Sequence, residues 1–273
     1  MAVWYIVQAP ALRLRPTKDE IDTGKVALYV FGDSLFDTGM TLYHESKGIG
    51  AAKFWPYGET YFKKPAGRFC DGRIDFTRQV EYFREMVQKM KQQIGEDEAN
   101  NVISKAVYLF DIIGGNDYVQ LIKDNINKTI SPSFKQVYTR EILGNISVRL
   151  KTIYNEGARK FAFQTLGPLG CQPNVKYTLG YKGLCAKELQ DMIITHNAEF
   201  FKLMKELESQ LPEFKYTVYD FYSSAYLRNP SDHLWFDGGH TTEEANRQLS
   251  QEFWSGSPNL VAPYNLKAFF AMP

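Results

Sequence analysis

Four side chains have the types that nucleophilic catalysis requires: Ser34, Asn116, Asp237 and His240. Ser34 lies in the stretch YVFGDSLFDTG (residues 29–39), where an apolar run breaks off into Gly-Asp-Ser-Leu. A serine hydroxyl is a weak nucleophile until a base takes its proton, and histidine is the side chain suited to that task near neutrality. The histidine in turn needs an acid to fix its tautomer and stabilise the imidazolium. Asp237 and His240 stand three apart in Asp-Gly-Gly-His, close enough to bond locally. Asn116, in Gly-Gly-Asn-Asp, carries an amide that can hold a developing oxyanion together with backbone N–H groups. Acting together, the four would supply a nucleophile, its base, an orienting acid and an oxyanion donor.

Taken singly, each residue also has an ordinary structural role. Ser34 suits the N-cap of a helix following the strand. Asp37 suits a turn residue that binds nearby amides. Asn116 suits a left-handed turn after two glycines. His240 suits a surface position just before a helix, because Thr241 and Glu244 have capping-box spacing. The other histidines are weaker candidates: His44 falls in a loop, His196 within a helix, and His233 ahead of Leu-Trp-Phe. What favours chemistry is the combination, three polar turns far apart in sequence, two after strands and one before the last helix, that are expected to converge in one place.

That place is set by the elements between them. Residues 26–31, 106–113, 160–166 and 216–221 read as buried strands, short and rich in β-branched or aromatic residues and followed by turn residues. Over 75–94 the residues Phe76, Val80, Phe83, Val87, Met90 and Ile94 form one apolar stripe of a helix, and Gly95 stands where a C-terminal cap is wanted. Residues 134–156 and 187–211 read likewise, the latter carrying Leu189, Ile193, Phe200, Leu203 and Leu207 and stopped by Pro212. A last helix starts near Thr241. Strands alternating with helices predict an α/β fold with a parallel sheet covered on both faces. Ligands of such sheets bind beyond the carboxyl ends of the strands, where Ser34 and Asn116 would lie. With no repeat or linker, residues 1–273 are expected to form a single domain with 1–24 as an N-terminal extension.

Bulk composition excludes several alternatives. Lys+Arg 32 against Asp+Glu 31 gives a net charge of +1, and the basic residues do not gather into a stripe, so nucleic acid is not an expected partner. No apolar run approaches the roughly 20 residues of a transmembrane helix. The N-terminal MAVWYIVQAPALRLRP has no basic residue ahead of its apolar patch and makes a poor signal peptide. No His, Cys and carboxylate set has metal-ligand spacing, and the turn after the first strand lacks a Gly-rich phosphate fingerprint, so neither metal nor nucleotide cofactor is expected. The aromatic share of 15% is high, and core filling is its expected use. Three cysteines, Cys70, Cys171 and Cys185, leave room for one bridge.

The order of motifs resembles the plant GDSL esterase/lipase family of the SGNH-hydrolase superfamily. The matching stretches are FGDSLFDTG, GRFCDGR (67–73), GGNDY (114–118), PLGC (168–171), FDGGHTTEEAN (236–246) and APYNLKAFF (262–270), spread over nearly the whole chain. The resemblance implies a flavodoxin-like three-layer α/β/α sandwich. It implies Ser34 as nucleophile, His240 as base, Asp237 as orienting acid, and Asn116 as oxyanion donor beside the Ser34 N–H. Family members hydrolyse esters of lipids and phenolic acids, some transfer acyl groups, and most are secreted. Cysteines placed like Cys171 and Cys185 imply a disulfide, with Cys70 free.

The departures from the pattern carry their own expectations. The family's second strand and a block whose glycine N–H is an oxyanion donor are absent, since Arg73 runs directly into Ile74-Asp75-Phe76. A cysteine-containing loop between Tyr226 and His233 is missing, Met40 replaces an Asn, and Thr241 replaces the Pro after the catalytic histidine. In the 2-1-3-4-5 strand order the lost strand is an edge. Residues 26–30 would then be exposed, which predicts lower stability, a homo-oligomer, or a partner or other cover over that edge. Loss of one oxyanion donor costs about 10²–10³ in turnover. A weakened esterase, an acyltransferase, and a catalytically impaired relative that binds a partner or glycan are the readings the sequence leaves open.

Overall fold

The computed structural model describes residues 4–6, 26–36, 75–111, 113–126, 128–226 and 234–273, with residues 4–6 as backbone only. Asp37, Met40, His44, the motif at 67–73 with Cys70, and His233 lie outside the described residues. The chain packs as two compact units, one of Met1–Asp111 with Thr152–Lys160, the other of Ile112–Lys151 with Phe161–Pro273.

The first unit contains β1 (Trp4–Ile6), β2 (Leu28–Phe31), α1 (Phe76–Ile94), α2 (Glu96–Lys105) and β3 (Val107–Phe110). β2 runs parallel to both β1 and β3. The register sets Tyr29 opposite Tyr108 and Phe31 opposite Phe110. Their rings stack at 5.1 Å and 4.9 Å between centroids. Such pairs contribute about 0.5–1.5 kcal/mol each beyond area burial, enough to fix a register that a one-residue slip would destroy. The α1 stripe supplies the cover, with Phe83 meeting Tyr29, Phe31 and Tyr108 edge-on and Phe76 meeting Phe31 and Phe110. Asp75 caps α1 by accepting from the Arg78 N–H at 2.9 Å, and Gly95, at φ 90°, closes it. Tyr29, Phe31, Phe83, Tyr108 and Phe110 thus fill the core of this unit, as expected, whereas Phe134, Tyr177, Phe236 and Trp254 are exposed.

The α/β class expected from the sequence is observed, and one detail of it is corrected. The edge beside Leu28–Phe31 is not vacant, because Trp4–Ile6 of the supposed N-terminal extension pairs with it in parallel. An edge position asks only for backbone N–H and C=O groups and a strand-forming sequence, which Trp-Tyr-Ile provides. The cover that the edge required therefore comes from the chain itself, and the motive for a partner at that edge lapses.

The second unit holds α3 (Gly115–Asp124), α4 (Pro132–Asn155, whose last turn belongs to the first unit), β4 (Lys160–Gln164) and a 3-10 turn at Leu169–Cys171. It continues with α5 (Pro173–Thr178), α6 (Lys187–Gln210), β5 (Lys215–Tyr219), α7 (Phe221–Tyr226), α8 (Glu243–Ser255), β6 (Val261–Ala262) and α9 (Leu266–Phe270). The strand order is β4-β5-β6, with β6 antiparallel to β5. Phe161 stacks on Phe214 at 4.5 Å, and Phe163 meets Phe200 of α6 edge-on. α8 begins one residue later than its expected capping box: Thr242, not Thr241, accepts the Ala245 N–H. Cys171 and Cys185 are bridged, as the resemblance implies.

Candidate active site

Ser34 stands in the turn that ends β2, and the residues around it explain the Gly-Asp-Ser-Leu sequence. Asp33 organises the turn, its side chain accepting the Leu35 N–H at 3.0 Å and its carbonyl the Phe36 N–H at 3.2 Å. Asp33 therefore shapes the turn that carries Ser34. Gly32 passes close to the end of β3, where a Cβ would fall 2.7 Å from Asp111 Cβ. No residue with a side chain fits there unless the strand ends move apart.

The same glycine is gripped by a residue that sequence reasoning missed. The Gly32 N–H donates to Gln79 Oε1 at 3.0 Å, and Gln79 Nε2 donates to the Gly32 carbonyl at 2.9 Å. Gln79 is only 4% exposed, a polar residue set into the buried face of α1 next to Val80. That position was the available signal, because a glutamine on a buried stripe needs partners for both ends of its amide. Gln79→Ala is expected to lower stability by about 1–3 kcal/mol, since both bonds to a part-buried peptide are lost together. A shift of the urea midpoint at unchanged slope would register it; an unaltered midpoint would contradict the clamp. In the second unit Asn197 of α6 grips Leu166 in the same two-sided way, at 3.0 Å and 2.9 Å.

Asn116 is the second residue of α3. The left-handed position of its turn is Gly114, at φ 93°, where an added Cβ would also meet Ile142 at 2.8 Å. Asn116 is thus helical, and the turn does not need it for its backbone conformation. Below it, the Tyr118 hydroxyl donates to Thr139 at 3.1 Å and lies 3.0 Å from His196 Nδ1. Burial pushes the His196 imidazole down to about 3, so it stays neutral near pH 7. His196 is a core histidine, in keeping with its weak candidacy.

Asp237 and His240 are brought together. Trp235 and Thr241 form an antiparallel bridge, and the Phe236 N–H donates to the His240 carbonyl at 2.8 Å, closing a tight loop around Gly238 and Gly239. Inside it, Asp237 Oδ1 accepts the N–H groups of Gly239 and His240, both at 2.8 Å. His240 Nδ1 lies 2.8 Å from Oδ2 and 2.9 Å from Oδ1. Partial burial alone would raise the Asp237 carboxyl, but the imidazole and the two amides together outweigh it and hold it well below the usual carboxylate range. An ionised acid facing Nδ1 keeps the proton on that nitrogen, an arrangement in which Nε2 can accept one. His240 is 7% exposed and is not the surface residue that its ordinary reading describes.

Ser34 lies in the first unit and Asn116, Asp237 and His240 in the second, each described within its own unit. A model of the GDSL-like lipase/acylhydrolase family matches residues 28–253, a span that includes all four. The chain belongs to this family. It is 31% identical to GDSL esterase/lipase 4 of Arabidopsis thaliana, with 93% of each chain covered. It is 29% identical to GDSL esterase/lipase 3 of the same plant, over 92% of this chain and 91% of the relative. It is also similar to the inactive GDSL esterase/lipase-like protein 25 of Arabidopsis thaliana, 28% identical over 90% of this chain and 75% of that one. The first comparison extends over 352 aligned positions, more than the 273 residues present here. Dozens of its positions therefore have no counterpart in this family member, in line with the lost blocks inferred from the motifs.

Proposed function

We propose that this chain is a serine hydrolase of carboxylic esters, with Ser34 as nucleophile, His240 as base, Asp237 as its orienting acid and Asn116 as an oxyanion donor. The observation that carries the reading is the Asp237–His240 pair, an ionised carboxylate on Nδ1 of a buried imidazole, in a chain of the GDSL-like lipase/acylhydrolase family. In this reading His240 Nε2 takes the Ser34 proton as Oγ attacks the ester carbonyl carbon. The tetrahedral oxyanion is held by the Asn116 amide and the Ser34 N–H. Collapse breaks the C–O bond to the alcohol, which leaves with the proton from His240. Water then cleaves the acyl-serine with the same base, releasing the acid and restoring the hydroxyl.

A small ester is the proposed substrate, and acyl transfer to another acceptor would use the same residues. Secretion is supported by the Cys171–Cys185 bridge, since disulfides persist in oxidising compartments. A non-catalytic role is the second reading, favoured by the likeness to a relative named inactive and by the absent oxyanion block. The two separate on one experiment with p-nitrophenyl acetate. The hydrolase reading expects a burst of close to one equivalent of p-nitrophenol per chain, followed by steady turnover. Neither burst nor turnover from a folded sample would favour the non-catalytic reading.

A further inference from the structure

The contact between Asp237 and His240 depends on a loop whose centre is two glycines, the residues least able to hold a conformation unaided. The bonds from Asp237 Oδ1 give that loop its shape, but they do not fix it to anything. Two bonds from outside do. The Asn174 N–H donates to the Gly238 carbonyl at 2.8 Å, and Gln172 Nε2 donates to the Gly239 carbonyl at 3.3 Å. Contact is tight as well, because a Cβ on Gly238 would fall 2.9 Å from Asn174 Cβ.

Both donors come from one three-residue stretch directly after Cys171. That stretch is anchored on its other side. Cys171 is bridged to Cys185, and the next residue, Ala186, donates its N–H to the Gly170 carbonyl at 2.8 Å. Gln190, on the buried face of α6, accepts the Gly170 N–H at 2.9 Å. Helix, bridge and bracket therefore form one continuous support that ends on the peptide carbonyls flanking Gly239.

We infer that Gln172 is a positioning residue for the Asp237–His240 pair, and that the Cys171–Cys185 bridge acts through it to hold the base in register. The inference rests on His240 as the base of the proposed hydrolase, but it concerns the geometry of the pair and can be read without turnover. Gln172 touches neither the imidazole nor the substrate in this account; it holds the peptide that carries His240. Freed of that bond, the loop still bonds internally but swings, and Nδ1 spends less time on the carboxylate.

The test is histidine-selective 15N labelling of the full chain, with His240 assigned by its disappearance in His240→Ala. In the native protein His240 is expected as the Nδ1–H tautomer with a slowly exchanging proton. In Gln172→Ala that exchange is expected to quicken about five- to tenfold, the effect of losing one hydrogen bond of ordinary net strength. Gln172→Glu keeps the bulk and removes the donor, so it should behave the same way, which separates the hydrogen bond from packing. Cys171→Ser with Cys185→Ser should quicken exchange at least as much. In turnover, kcat should fall by a similar factor with KM unchanged. Unaltered exchange in all three variants would overturn the inference, as would a native His240 without the Nδ1–H tautomer. Quickened exchange in a chain that hydrolyses no ester would uphold the bracket and remove the hydrolase reading instead.

Discussion

Ser34→Ala is expected to reduce ester turnover about 10⁶-fold, the order found when the serine of such a triad is removed. The loss is large because serine and histidine act as one unit: without Oγ the imidazole has no proton to take, and no acyl-enzyme forms. KM should change little, since the hydroxyl contributes mainly at the transition state. The p-nitrophenol burst should vanish with the turnover. The motif break at Arg73–Ile74 predicts a native rate already lowered by about 10²–10³. Low native activity that collapses further in Ser34→Ala is therefore the expected pattern. Equal rates in the two proteins would remove Ser34 from the mechanism.

Asp237→Asn is the second large effect, an expected fall of about 10⁴ in kcat with the fold retained. The asparagine can keep an oxygen for the amides of Gly239 and His240, so the loop need not open. Its other end is then an N–H₂ group facing Nδ1, which turns the imidazole to the opposite tautomer and puts the proton on Nε2. A base that already carries its proton cannot take one from serine. The carboxyl of Asp237 is depressed relative to its ordinary value of 3.8. Its stabilising effect is therefore present above that value and is lost as pH falls below it. Steady-state kinetics at pH 7 of native and Asp237→Asn proteins with matched circular dichroism check the prediction; a change in KM alone would contradict it.

Much of the framework was legible because its signals are local. The α1 stripe from Phe76 to Ile94 and the Gly95 stop follow from helical spacing and turn chemistry. The four strands with strong β-formers were found for the same reason, with ends displaced by up to three residues where turns compete. β1 and β6 were missed because strands of three and two residues have no measurable period, and only their pairing defines them. α2 was missed because it follows α1 across the single residue Gly95, so the two helices share one punctuation mark. At the site, Asp237 and His240 were legible since their spacing alone lets them meet. Gln172 and Asn174 were not, and Gln79 only as a buried amide in need of partners, because each acts on backbone 47 to 67 residues away in sequence, and no pattern of residue types says which distant peptide is bonded.

The central claim is that His240 activates Ser34. The direct measurement is the rate at which a serine-reactive phosphonate labels the chain, with the adduct mapped to its peptide by mass spectrometry, in native and His240→Ala proteins. The account predicts one adduct per native chain, on Ser34, with labelling slowed by about 10³-fold or more once the base is gone. An adduct on another residue, or labelling of Ser34 at the same rate with and without His240, would contradict it.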